Sequence, residues 1–61
     1  MDDYTVKRLA LVLAVQAEIE GMKTSNLIRE LSNDSLIYNE GDFQERSQRL
    51  TILAHAHNEQ L

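Results

Sequence analysis

His55 and His57, separated by a single alanine, form the pair in this chain whose residue types most suggest metal chemistry. Residues two apart on a helix point about 200° away from each other, so one continuous helix cannot close both rings on one ion. Only pairing across a symmetric interface, with Asn58 or Glu59 nearby, would assemble ligands. No metal site and no cofactor is expected. His57 is expected at the end of an apolar stripe and His55 in solvent, where a protonated ring complements the negative end of a helix. Glu18 and Glu20 are also two apart and do not make a carboxylate pair for general acid and base work. Their helical neighbours are Met22 for Glu18, and Lys23 or Thr24 for Glu20. With no phosphate-cradling glycine loop and no nucleophile elbow, no catalytic residue is expected and the chain reads as a non-enzyme.

The basic residues are Lys7, Arg8, Lys23, Arg29, Arg46 and Arg49. Arg46 and Arg49 lie three apart and share a side of a helix, so a dimer would present them twice as a small phosphate-contacting patch. Against this stand a net charge of −4, Glu45 beside the patch, and the lack of an aromatic platform for single strands. A helix-turn-helix is poorly matched, because its turn is about 3–4 residues and the central loop here is longer. Nucleic acid is thus a possible but disfavoured partner. The spacing of Arg49 and His55 in 49-RLTILAH-55 resembles the catalytic motif of HEPN ribonucleases, where an arginine and a histidine act on the scissile phosphate in a groove between two subunits. That resemblance implies a minimal ribonuclease using Arg49 and His55. It departs from the family in carrying Leu50 where a polar residue often follows the arginine, and in a chain about half the length of the usual four-helix unit.

The elements that must position these residues are legible from punctuation and periodicity. There is no proline, and Gly21 and Gly41 are the only glycines, so long helices are permitted. Asp2 or Asp3 can cap a first helix of about residues 4–31. Along it Val12, Val15, Ile19 and Met22 recur at steps of three, four and three on one stripe, while Leu9, Leu11 and Leu13 cover the rest of the circumference. A helix apolar on nearly every side is a buried helix. The Ser-, Asn- and Asp-rich stretch of about 32–42 reads as a loop, with Leu36, Ile37 and Tyr38 folded back as a lid. A second helix of about 43–58 is expected to start from a capping box of Asp42 and Glu45. Phe43, Ser47, Leu50, Ala54, His57 and Leu61 would face the first helix, and Ile52 would point away.

Length turns this pattern into an expectation about assembly. A first helix of about 28 residues is roughly 42 Å long and a second of about 17 only roughly 25 Å, so the second cannot cover the first. With no cysteine, neither a disulfide nor a thiolate zinc site can reinforce 61 residues. The expected fold is all-α: a single helical domain, residues 1–61, folded as a helical hairpin and assembled into a dimeric or higher-order helical bundle, with Leu9, Val12, Val15, Ile19 and Met22 at the oligomer interface. Gly21 is expected where two backbones approach closely. The run 9-LALVLAV-15 is too short for a bilayer, which needs about 20 apolar residues, and the start Met-Asp-Asp is unlike a secretory signal. A cytoplasmic protein without membrane contact is the expectation.

The segments 9-LALVLAVQAEIEGMK-23 and 54-AHAHNEQL-61 resemble those of small accessory helical proteins of the lambdoid phage early region, encoded between the exonuclease and excisionase genes. That resemblance implies a non-essential regulatory protein in the host cytoplasm. It would modulate lytic against lysogenic development through contact with a host or phage regulatory protein or with DNA.

Overall fold

A computed structural model describes residues 2–61. Helix α1 spans Asp3–Leu31, α2 spans Glu40–His55, and a 3-10 turn covers Asn58–Gln60. The protein is all-helical, and no strand occurs among the described residues. At about 1.5 Å per residue the two helices are about 43 and 24 Å long. They pack side by side into a slab with extents of 47 × 19 × 10 Å.

Each helix begins on a side-chain cap. The Asp2 carboxylate accepts from the Thr5 backbone N–H at 2.7 Å, and the same bond holds its carboxyl below the ordinary carboxylate range. Helix α1 ends at Ser32 and Asn33, the latter at φ 59° in the left-handed region that asparagine tolerates. Asp34 N–H reaches Arg29 O at 2.8 Å and Asn33 N–H reaches Glu30 O at 3.1 Å, the paired bonds of a Schellman stop. Helix α2 starts three residues before the expected position. Asn39, rather than Asp42, is the cap: Asp42 N–H donates to Asn39 Oδ1 at 3.0 Å and Asn39 N–H to Asp42 Oδ2 at 2.9 Å. Asp42 therefore occupies the third helical position, and Glu45 is released for other work. A Cβ on Gly41 would stand 3.2 Å from Asn39 Oδ1, so glycine leaves room for that cap.

The helices run antiparallel. Side-chain bonds join Arg8 to Ala56, Glu18 to Arg46 and Asn26 to Tyr38, three pairs whose numbers share one sum and so define one register. The inner face of α1 carries Arg8, Leu11, Val12, Val15, Glu18, Ile19, Met22 and Asn26. On α2 it carries Phe43, Arg46, Leu50 and Leu53. The expected inner face of α2 is corrected here: Ser47, Ala54 and His57 are exposed. An inner row of Phe43, Arg46, Leu50 and Leu53 lets the aliphatic stem of Arg46 cover apolar surface while its head reaches Glu18. The expected lid is also corrected, since Leu36 and Ile37 are at least half exposed. Only Tyr38 is tied down, its N–H bonded to Asn26 Oδ1 at 3.0 Å and its carbonyl accepting from Asn26 Nδ2 at 2.9 Å.

Two helices in a slab can enclose little. Among the described residues Val15 and Met22 are the buried side chains. The radius of gyration is 14.6 Å, against about 10.5 Å for a compact chain of this length. By register α2 faces α1 only as far as about residue 24, so the last turns of α1 project beyond it.

Candidate functional site

The most concentrated set of charged side chains lies where α2 crosses the middle of α1. Arg46 projects from the inner face of α2, with Nε 3.0 Å and Nη2 2.9 Å from Glu18 Oε1 on α1. Its Nη1 reaches Glu45 Oε2 at 2.7 Å. Arg49, one turn on, donates from Nε to Glu45 Oε1 at 2.7 Å and from Nη1 to Glu18 Oε2 at 3.2 Å. Two guanidinium groups and two carboxylates thus close a neutral four-membered ring. The Glu18 hydrogen bond, helped by both carboxylate charges, raises the Arg46 guanidinium above its ordinary value. A phosphate would have to displace Glu18 and Glu45 to reach these arginines, losing charge-assisted bonds for the ones it gained. The arginine patch expected from the sequence is therefore occupied from within the chain.

Arg49 and His55 are both on α2, six residues apart. That spacing turns about 240° around the helix and about 9 Å along it, so the two side chains leave different faces. His55 is the last residue of α2, and the backbone then turns extended at Ala56 and His57. His57 N–H is taken by Gln60 Oε1 at 2.9 Å. Among the described residues no group of three His, Asp or Glu side chains is arranged to hold a metal ion, and no pocket is present. No helix is long and apolar enough to cross a membrane among those residues.

The five apolar residues expected at an oligomer interface divide between two surfaces. Val15 and Met22 are buried against α2 of the same chain, and Val12 and Ile19 are half-buried beside them. Leu9 stays exposed. A Cβ on Gly21 would meet nothing within 4 Å, so among the described residues no other element approaches it.

No protein-family model matches the chain, and comparison with curated proteins and with solved structures gives no match. Its surface must speak for it. The exposed large apolar side chains lie on the outer side of α1 at Val6, Leu9 and Leu13, and around the hairpin tip at Leu27, Ile28, Leu31, Leu36 and Ile37. Tyr4 and Ile52 complete the set, Ile52 on the back of α2 as its spacing predicts. The others form two groups, one toward the start of α1 and one at the hairpin tip; scattered exposed apolar residues are ordinary on a protein surface.

Two side chains that tie the elements together were not singled out from the sequence. Arg8 Nη1 donates to Leu53 O at 2.7 Å and Ala56 O at 3.0 Å, and its Nη2 to Asn58 Oδ1 at 3.0 Å. It satisfies the free carbonyls at the end of α2, work that a guanidinium fork does well. Asn26 anchors the loop through both ends of its amide. The signal was available: Arg8, Glu18 and Asn26 are polar residues at positions that continue the Val15 and Met22 stripe, and a polar group on an apolar stripe needs a partner from the facing element.

Proposed function

We propose that this protein is a non-enzymatic interaction module that works as a homo-oligomer and exerts a regulatory effect through protein contacts. The resemblance to lambdoid phage early-region proteins extends this reading to modulation of lytic against lysogenic development in the host cytoplasm. The observation that supports it is surface: the chain exposes 4772 Å², about 700 Å² more than the about 4,000 Å² expected of a folded monomer of 7.0 kDa. The excess follows from the slab shape, and ten large apolar side chains stand about half or more exposed on it, which favours protein contact over catalysis or phosphate binding. The internal pairing of Arg46 and Arg49 weighs the same way, since their charge is already balanced.

Light scattering across a concentration series tests the reading. A dimer or larger particle is expected at micromolar concentration, with no retention of duplex DNA at physiological salt. A helical monomer at every concentration, or tight salt-sensitive DNA binding lost in an Arg46→Ala, Arg49→Ala variant, would overturn it.

A further inference from the structure

We infer that the outer face of α1 is the seat of a second copy of this chain, running antiparallel about a two-fold axis near residues 18 and 19. The inference rests on the homo-oligomer reading and names its surface and geometry. Opposite the α2-facing stripe, α1 exposes Val6, Leu9 and Leu13 toward its start and Leu27, Ile28 and Leu31 toward its end. Measured in turns of 3.6 residues, these six fall within about 100° of one another on the side away from α2. Among the described residues nothing covers them.

Their order along the helix decides how a copy fits. Reversing α1 about its middle carries Val6 onto Leu31, Leu9 onto Ile28 and Ala10 onto Leu27, so the apolar set at one end meets its counterpart at the other. Between the sets the face narrows to Leu13 against Thr24 and Ala17 against Glu20. A parallel copy in register would instead set Glu20 against Glu20 of the partner, a like-charge contact in the seam. The antiparallel copy sets each Glu20 level with an alanine and staggers the two Glu20 side chains by about 4.5 Å along the axis instead of setting them side by side. It also keeps the ion pair to Lys23 at 3.3 Å and opposes the two helix dipoles. An isologous two-fold contact also closes on itself, so the assembly stops at a dimer.

The absence of cysteine makes the test clean. Val6→Cys and Leu31→Cys variants are prepared separately, then oxidised alone and as an equal mixture, and cross-linked products are identified by mass. In an antiparallel dimer each cysteine lies about 37 Å from its own copy, so neither variant alone should cross-link and the mixture should yield the Val6→Cys to Leu31→Cys species. Leu13→Glu should keep the helical circular dichroism of the wild type and weaken dimerisation by about 100-fold. Cross-linking of Val6→Cys with itself would overturn the antiparallel geometry while leaving the oligomer reading intact. A dimer untouched by Leu13→Glu, without mixed cross-links, would overturn the face. A wild-type monomer would overturn the oligomer reading itself.

Discussion

Met22 is the place to test whether the hairpin is held as described. It is the most buried side chain of the described residues, 2% exposed, on the inner face of α1 level with the start of α2. Truncation to alanine in a core costs about 2–5 kcal/mol, depending on how far the site collapses. A slab 10 Å thick offers few surrounding atoms to hold a cavity open, so the lower half of that range applies, about 2–3 kcal/mol. A domain of this length has a total stability of about 3–9 kcal/mol, and the substitution should remove a large share of it. With a urea dependence near 1 kcal/mol per M for so small a chain, the unfolding midpoint should fall by about 2–3 M. Met22→Leu, which nearly conserves volume, should cost under about 1.5 kcal/mol. The assay is urea unfolding followed by circular dichroism at two protein concentrations, so that any dissociation step is separated from unfolding. A loss under about 0.5 kcal/mol for Met22→Ala would refute the claim that α1 and α2 are joined through this side chain.

Asn26→Ala removes both bonds to the Tyr38 backbone and should cost about 1–2 kcal/mol, with faster amide exchange at Tyr38; unchanged protection there would mean the loop is held by something else. Gly21→Ala adds a methyl to open space inside a helix and should stabilise the protein by up to about 1 kcal/mol, read as a higher thermal midpoint. A destabilising result would instead reveal close backbone contact at Gly21 in an assembly. The lowered Asp2 carboxyl, caused first by the Thr5 N–H, makes its cap pH-dependent: its contribution is fully present above the ordinary carboxylate value and is lost as pH falls through the lower folded one. Asp2→Asn keeps a cap without a titrating group. The stability difference between wild type and Asp2→Asn should be flat above about pH 5 and change below about pH 4, and a flat difference throughout would remove the cap from this account.

By itself the sequence determined the helical class, the hairpin and the bounds of α1, because these follow from local quantities; α2 begins and ends three residues before the expected positions. Unbroken helix formers between Asp2 and Leu31, a Ser-Asn-Asp cluster after them, and the Val12, Val15, Ile19, Met22 spacing act within a few turns of chain. The start of α2 was misplaced because Asn39 with Asp42 and Asp42 with Glu45 have the same three-residue spacing. Glu45 is instead engaged by Arg46 and Arg49, whose positions depend on a helix 28 residues away at Glu18. What only the tertiary structure decided is which apolar residues remain uncovered. Both faces of α1 are apolar by count, and the choice between them follows from where α2 lands. Arg8 on its end, Glu18 against Arg46 and Asn26 on the loop seat α2 on the Val15 and Met22 face, because these directional and partly charge-assisted bonds form only in that arrangement. That choice leaves Val6, Leu9, Leu13, Leu27, Ile28 and Leu31 on the open side of α1.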